Sequence, residues 1–126
     1  MDLFTTELKC IIIDDEPLAS KVLINFAKRK NDLIVLNTFE TIREGFDYLK
    51  NINYEVDIVF LDVQLNKESS IDYLEKTGED TMINIVFVSA YRASKFQDRN
   101  IQYFDWLEKP IPYRSFEALI ERFKNR

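Results

Sequence analysis

The residues of this sequence that could do chemistry follow directly on short apolar runs. Asp14, Asp15 and Glu16 come after one such run, and Asp62 follows a second, Ile58–Leu61. Carboxylates about 4 Å apart repel one another by roughly 4 kcal/mol at an effective dielectric constant near 20. A divalent cation would offset that repulsion, and clustered carboxylate oxygens with water are what Mg²⁺ prefers. The pattern therefore predicts a magnesium site if the two runs form neighbouring strands.

A hydroxyl and an ammonium group follow two further apolar runs. Ser89 comes after Ile83–Val88, and Lys109 with Pro110 comes after the weaker run Tyr103–Leu107. Beside bound Mg²⁺ a carboxylate can act as a nucleophile toward phosphorus, and a lysine and a hydroxyl can hold the remaining phosphoryl oxygens. Each residue alone has a plainer interpretation, as a helix cap, a turn residue or a strand-end hydroxyl. Their shared position at the ends of the runs favours phosphoryl transfer.

The elements that must position these residues alternate along the chain. Runs rich in Ile and Val are typical of strands buried on both faces of a parallel sheet. We predict strands at Lys9–Ile13, Ile34–Phe39, Ile58–Leu61, Ile83–Val88 and Tyr103–Leu107, and helices from Pro17, from Thr41, over Ser70–Lys76, over Ser94–Gln102 and after Pro112. Five alternations predict an α/β fold with a parallel sheet. Ligands of such sheets bind at the carboxyl ends of the strands.

Composition limits the classes of function. The 126 residues fit one domain, residues 1–126. Seventeen Lys and Arg against 22 Asp and Glu give a net charge of −5, which disfavours nucleic-acid binding by this domain itself and contact with an anionic membrane. The single cysteine, Cys10, excludes an internal disulfide and favours a cytoplasmic location. Histidine is absent, which excludes imidazole metal sites and Ser/His or Cys/His nucleophile pairs.

Four stretches carry a family resemblance. They read CIIIDDEPLA at 10–19, IVFLDVQL at 58–65, IVFVSAY at 85–91 and FDWLEKPI at 104–111. On the basis of these stretches, the sequence closely resembles the response-regulator receiver domain of two-component signalling. The resemblance extends from Leu8 to Phe123. The resemblance implies a doubly wound, flavodoxin-like fold with a five-stranded parallel sheet in the order 2-1-3-4-5.

The resemblance also implies a metal site and a phosphate acceptor. Asp62 would form the aspartyl phosphate. Asp15 and Asp62 would bind Mg²⁺ directly, helped by the backbone carbonyl of Gln64, and Asp14 would reach the metal through water. Glu16 extends the acidic cluster but is not among the usual ligands of the family.

Further residues take roles around the phosphoryl group in the same resemblance. Lys109 would pair with it, and the Lys109–Pro110 bond would be cis. Ser89 would be the switch hydroxyl. Gln64 and Tyr91 would flank the acceptor and tune dephosphorylation. Trp106 lies where the family has its switch aromatic, although a core aromatic is an equally good interpretation.

For the whole protein, the resemblance implies a partner and an output. A sensor histidine kinase would supply the phosphoryl group, and because this chain has no histidine, the phosphohistidine lies on another molecule. Phosphorylation would switch the surface of the fourth helix, fifth strand and fifth helix and control homodimerisation. The acidic motif and the end of the chain resemble LytTR-type transcription regulators, which implies a DNA-binding domain downstream of residues 1–126. The domain would be no enzyme beyond its own phosphorylation and slow dephosphorylation.

Several positions depart from the family pattern, and two other functions stay open. Asn66 and Ser70 stand where the family has Pro and Gly, and Gln102 with Tyr103 replaces a small pair before the fifth strand. These departures put the loop after Asp62 and the fourth helix in doubt. A receiver-like interaction module that signals without phosphate is one alternative. A haloacid-dehalogenase-like phosphatase is another, although it needs a second aspartate where Gln64 stands.

Overall fold

The computed structural model describes residues 7–126. Its sheet strands are β1 Leu8–Ile13, β2 Leu33–Phe39, β3 Ile58–Asp62, β4 Ile85–Ser89 and β5 Asp105–Glu108, and its α-helices are α1 Pro17–Lys28, α2 Ile42–Asn51, α3 Ser70–Thr77 and α4 Tyr113–Lys124. Two single-turn 3₁₀ helices cover Glu79–Met82 and Ala93–Phe96, and a small antiparallel hairpin joins Gln64–Leu65 to Glu68–Ser69. Among residues 7–126, no helix is long and apolar enough to cross a membrane.

All five sheet strands run parallel in the order β2-β1-β3-β4-β5. This confirms the predicted α/β, doubly wound flavodoxin-like fold and its strand order. β1, β3 and β4 lie inside the sheet and are almost wholly buried. The expectation of burial on both faces is wrong for β2, where Ile34 and Leu36 are exposed. As an edge strand, β2 has less of the molecule covering it than the three inner strands.

Alternate strand residues pack into two separate apolar layers. Helices α1 and α4 cover one face of the sheet and α2 and α3 cover the other. In α4, Phe116 and Phe123 are fully buried. Thr41 caps α2, because its Oγ1 accepts the Glu44 N–H at 3.1 Å. Burying both faces in this way fixes where each inner strand ends, and those ends carry the polar residues.

One predicted helix does not form. The sequence predicts a helix over Ser94–Gln102, but the structure has only the 3₁₀ turn Ala93–Phe96 followed by irregular chain as far as Phe104. The helix α4, after Pro112, is therefore the predicted fifth helix. No α-helix among residues 7–126 corresponds to the predicted fourth one. Residues 90–104, the chain between β4 and β5, are called the 90–104 segment. The positions of the predicted switch surface are therefore β5, α4 and this segment, which takes the place of the missing helix.

Carboxylates from α3 and the following turn hold the 90–104 segment in place. Arg99 is paired with both Asp72 and Glu75, and its Nε lies 3.0 Å from Glu75 Oε2. The main-chain N–H of Asn100 donates to Glu75 at 3.2 Å and that of Gln102 to Asp80 at 2.6 Å. These N–H groups therefore have side-chain acceptors, which replace the carbonyl acceptors that a helix would provide.

Candidate functional site

The strand pairings bring the polar residues together at the carboxyl edge of the sheet. Ile13 is paired with Leu61, so the residues that follow them, Asp14 and Asp62, lie side by side. Ser89 ends β4 and is paired with Glu108. The N–H of Lys109, one residue beyond β5, donates to the Ser89 carbonyl at 2.8 Å. Four separate parts of the sequence therefore meet at one place, as the apolar runs predict.

The acidic residues form a compact cluster. Asp14, Asp15, Glu16 and Asp62 each offer a carboxylate oxygen, and these oxygens all lie within 4.8 Å of one another. Asp14 and Asp62 are buried, whereas Asp15 is half-buried and Glu16 is exposed. Each pair of charges at such a distance costs roughly 3–4 kcal/mol at an effective dielectric constant of about 20. The cluster therefore needs positive charge beside it.

Lys109 supplies part of that charge. Its Nζ lies 3.0 Å from Asp14 Oδ2, 3.3 Å from Glu16 Oε1 and 3.4 Å from Asp62 Oδ2. Its side chain is only 18% exposed, so little water screens these contacts. The peptide bond between Lys109 and Pro110 is cis, the isomer that the resemblance implies.

The donor set fits a divalent cation. Asp14 Oδ2 is buried and has no hydrogen-bond partner among the described residues, although Lys109 Nζ forms an ion pair with it at 3.0 Å. A buried carboxylate oxygen without a donor is costly unless a cation binds it. Asp15 and Asp62 provide further oxygens within 4.8 Å, and oxygen-only donors suit Mg²⁺. One ammonium shared among three carboxylates leaves the cluster negative, which also favours a cation.

The same charges shift two pKa values. Burial, and after it the negative charge of Asp14, raises the pKa of the Asp62 carboxyl from its ordinary 3.8 to about 7, against the opposing pull of Lys109. Burial alone would lower the pKa of the Lys109 amine, but its contacts with Asp14, Asp62 and Glu16 outweigh burial and raise it. The ionised form of Asp62 therefore depends on positive charge nearby.

A short chain of hydrogen bonds leads from the site toward β5. Ser89 is buried, and its Oγ accepts the main-chain N–H of Tyr91 at 3.0 Å. The Tyr91 carbonyl accepts the indole N–H of Trp106 at 2.8 Å. Trp106 lies outside the cleft, against Phe87 and Phe96 on the face that α2 and α3 cover. It is half-buried, so both sequence interpretations keep some support: its ring packs in the core and its N–H is linked to the site.

The hairpin after β3 contributes contacts that sequence reasoning missed. The Asn66 N–H donates to Asp15 Oδ2 at 2.9 Å, and its side-chain amide donates to the Glu40 carbonyl at 3.0 Å. The buried Ser70 hydroxyl donates to the main-chain carbonyl of Asp62 at 2.7 Å. The departures of Asn66 and Ser70 from the family pattern were the available signal, because both residues carry polar side chains where the family has none.

The cleft that contains the cluster is open to solvent and has a volume of about 430 Å³. Asp62, Ser89 and Lys109 lie in it, and Gln64 and Tyr91 are also among its lining residues. The Gln64 side chain is exposed, and its main-chain N–H lies 3.4 Å from Asp62 Oδ1. The opening is large enough for a phosphoryl group to approach Asp62 from outside.

Comparison with known proteins identifies the family. The family model of the response regulator receiver domain matches residues 10–122. The sensory transduction protein LytT of Bacillus subtilis (strain 168) is 30% identical over 118 residues, which are 93% of this chain and 48% of LytT. The transcriptional regulatory protein BtsR of Escherichia coli (strain K12) is 26% identical over 117 residues, 93% of this chain and 48% of BtsR. Relatives thus include regulators of the predicted LytTR type, and this chain spans about half their length.

Solved structures show the same fold. The response regulatory domain of mrkE from Klebsiella pneumoniae superposes with a TM-score of 0.74 at 21% identity and covers 94% of this chain and 96% of its own. The CheX-CheY-BeF3-Mg+2 complex from Borrelia burgdorferi gives a TM-score of 0.77 at 19% identity. The superposition covers 93% of this chain and 89% of the matched chain. These likenesses concern the fold, and the family match over residues 10–122 is the decisive finding. The chain belongs to the family of response regulator receiver domains.

Proposed function

We propose that this receiver is a phosphoacceptor switch and that Asp62 takes the phosphoryl group. The observation that carries the proposal is the position of Lys109 Nζ, within 3.4 Å of carboxylate oxygens of Asp14, Glu16 and Asp62. A purely structural ion pair would need one carboxylate beside one lysine. Here a single ammonium faces three acids beside an open cleft, and the pKa of one of them, the buried Asp62, is raised to about 7.

The chemistry follows from these positions. A lone pair on an Asp62 carboxylate oxygen forms a bond to phosphorus, while the bond from phosphorus to the donor breaks and its electron pair stays with the departing group. Asp14, Asp15 and Asp62, with the Gln64 carbonyl, would hold Mg²⁺, which supplies positive charge for the ionised carboxylate and for the phosphoryl oxygens. Lys109 turns from the carboxylates to a phosphoryl oxygen. The Ser89 Oγ already accepts the Tyr91 N–H, so its own proton is free to bond another phosphoryl oxygen.

The donor and the output belong to the same proposal. A sensor histidine kinase is the donor: its phosphorus–nitrogen bond breaks, and the imidazole nitrogen keeps the electron pair and takes up a proton. The switched surface is β5, α4 and the 90–104 segment, through which two copies would pair. The domain acts in the cytoplasm as the receiver part of a longer regulator with a DNA-binding output, because relatives of twice its length include a protein named a transcriptional regulatory protein.

Intact-mass measurement after incubation with acetyl phosphate and Mg²⁺ tests the acceptor role. The expected result is an adduct of one phosphoryl group that disappears in Asp62→Asn and in excess EDTA. Asp57→Asn is the matched control, because Asp57 directly precedes β3 at the opposite end of that strand and accepts the Lys9 N–H. The control is expected to keep the adduct. A wild-type protein without an adduct, or an Asp62→Asn protein with an undiminished one, would refute the proposal and favour the phosphate-independent module.

A further inference from the structure

The two-residue turn of the hairpin after β3 has an unusual backbone. Asn66 and Lys67 both have positive φ values, 49° and 68°, and they connect Gln64–Leu65 to Glu68–Ser69. Two successive residues in this region are typical of the tight turns that join antiparallel strands. Asn tolerates this conformation better than most residues, and proline cannot adopt it because its ring fixes φ near −65°. Asn66 is therefore compatible with a turn that the usual proline of the family would prevent.

Asn66 connects this turn to two other parts of the site. Its main-chain N–H, which a proline would lack, donates to Asp15 Oδ2 at 2.9 Å. Its side-chain amide donates to the carbonyl of Glu40, the residue that follows β2, at 3.0 Å. The amide therefore fixes where the turn lies, and the turn fixes one oxygen of Asp15. The second oxygen of Asp15 stays available to a cation.

We propose that Asn66 is a positioning residue for the metal site, holding the Asp15 carboxylate in the orientation in which it binds the cation. This inference rests on the proposed function, in which Asp15 is a metal ligand. Groups that orient a metal ligand affect metal affinity without touching the metal. Asp15 needs such a group because it is half-buried and, unlike Asp14 and Asp62, is not among the carboxylates that Lys109 contacts.

A comparison of two glycine variants tests the inference. Asn66→Gly keeps a residue that tolerates positive φ and keeps the main-chain N–H, and it removes the amide bond to Glu40. Lys67→Gly is the matched control, since it makes the same turn equally flexible at the neighbouring position. The first readout is the Mg²⁺ dissociation constant from isothermal titration calorimetry, at a salt concentration near 0.15 M, which weakens the effect of the exposed Lys67 charge.

We expect Asn66→Gly to weaken Mg²⁺ binding by roughly tenfold, the lower end of the range for orienting groups. Lys67→Gly is expected to leave it within about twofold of the wild type. The second readout is the rate of phosphorylation by acetyl phosphate against Mg²⁺ concentration. In Asn66→Gly the half-saturating Mg²⁺ concentration is expected to rise by the same factor, while the rate at saturating Mg²⁺ stays unchanged, because excess cation compensates for a poorly oriented ligand.

The outcomes separate this inference from the proposed function. Equal weakening in both glycine variants would mean that only the rigidity of the turn matters, and it would overturn the role of Asn66. Unchanged Mg²⁺ affinity in Asn66→Gly would overturn it as well. Both results leave Asp62 as the acceptor. A wild-type protein that binds no Mg²⁺ would instead overturn the metal site of the proposed function, and this inference with it. Thermal midpoints in EDTA check that both variants are folded.

Discussion

The indole N–H of Trp106 donates a 2.8 Å hydrogen bond to the main-chain carbonyl of Tyr91. The N–H of the same Tyr91 donates to Ser89 Oγ at 3.0 Å, so the tryptophan is two hydrogen bonds away from a hydroxyl of the acceptor cleft. Only the main chain of Tyr91 takes part in this connection. Its side chain instead points toward Lys95, whose Nζ lies 3.7 Å from the centre of the Tyr91 ring.

This connection predicts that Trp106 reports on the site. If the Ser89 hydroxyl moves toward a phosphoryl oxygen while its Oγ still accepts the Tyr91 N–H, the Tyr91 main chain moves with it, and the hydrogen bond from the indole to the Tyr91 carbonyl changes. Because Trp106 is the only tryptophan, its fluorescence can be assigned without ambiguity. We expect beryllofluoride with Mg²⁺, a mimic of the phosphoryl group, to change the emission spectrum of the wild type.

Two variants define the controls for that experiment. Asp62→Asn is expected to give no change in emission, since the mimic has no acceptor. Ser89→Ala is expected to bind the mimic and to give a smaller change, because the hydrogen-bond chain is broken at its first member. An unchanged Trp106 spectrum in a wild-type protein whose amide NMR signals show binding would contradict the connection.

The pKa of Asp62 predicts that this residue lowers the stability of the metal-free protein. Its carboxyl has a pKa of about 7 in the folded protein against an ordinary value of 3.8. Between these values the folded state binds a proton that the unfolded state has released, so stability falls as pH rises and the full cost is present above pH 7. In Asp62→Asn, Lys109 keeps Asp14 and Glu16 as partners.

Urea unfolding in EDTA at several pH values measures this cost. Each unit of pKa shift corresponds to about 1.4 kcal/mol, so the shift of Asp62 corresponds to about 4 kcal/mol. Solvent screening and the loss of its contact with Lys109 reduce the effect, and we expect Asp62→Asn to raise the free energy of unfolding by about 1–3 kcal/mol at pH 8. The gain is expected to shrink as pH falls from 7 toward 3.8, below which Asp62 is protonated in both the folded and the unfolded state of the wild type. Asp57→Asn is the control, and its free energy of unfolding should not rise relative to the wild type between pH 4 and pH 8. A loss of stability in Asp62→Asn at pH 8 would contradict the prediction.

The meeting of Asp62, Ser89 and Lys109 at one edge of the sheet is the part of the molecule that the sequence predicts best. Asp62 and Ser89 end inner strands of five apolar residues or fewer, and local patterning decides where such strands stop. Parallel pairing then brings their ends together, whichever way the surface loops run. Lys109 was predicted to follow the fifth strand, and it lies one residue beyond β5, although that strand begins at Asp105, two residues later than predicted. This error does not affect the predicted position of Lys109, because that position depends on where β5 ends and not on where it begins.

The hairpin and the 90–104 segment could not be predicted in the same way. Asn66-Lys67 lacks the glycine that usually marks a two-residue turn, and its conformation depends on partners that follow β1 and β2, Asp15 and Glu40. The 90–104 segment depends on Glu75 and Asp80, which are far from it in sequence. Non-local acceptors of this kind leave no periodic pattern in the chain, whereas helical propensity does.

The pairing of Arg99 predicts how the 90–104 segment responds to mutation. Arg99 joins Asp72 and Glu75 of α3, and its side chain is 30% exposed. Without the guanidinium, Glu75 keeps its bond to the Asn100 N–H but loses its charged partner. We expect Arg99→Ala to speed amide hydrogen exchange in residues 90–104 severalfold, while the free energy of global unfolding falls by only about 1 kcal/mol.

Arg43→Ala is the matched control for Arg99→Ala. Arg43 makes one exposed ion pair, with Asp47 at 3.9 Å, four residues along α2. Such pairs contribute about 0.3–0.5 kcal/mol, so exchange in residues 90–104 should be unaffected. Hydrogen-exchange mass spectrometry resolves the segment directly. Equal exchange rates in wild type and Arg99→Ala would show that the aromatic packing of Phe96 and Trp106 holds the segment without the arginine.

Cys10 provides a test of the buried sheet that is independent of the acceptor site. Its side chain is fully buried in β1, and burial, with a smaller contribution from the negative charge of Asp57, raises the pKa of the thiol to about 12. Only the thiolate reacts rapidly with thiol reagents, so at pH 8 both burial and protonation protect it. We expect a chromogenic disulfide reagent to modify one thiol per chain in denaturant and almost none in the native protein.

The rate of that modification then measures opening of the sheet. In EDTA, Asp62→Asn is expected to slow the modification of Cys10, because it lowers the equilibrium population of open molecules by the factor that its stability gain implies. Ser89→Ala and Lys67→Gly change residues that line the cleft. They give the range of modification rates expected for cleft variants that lack this gain in stability. Modification of native wild type as fast as in denaturant would show that β1 opens without global unfolding, and would contradict a sheet whose inner strands form one cooperative core.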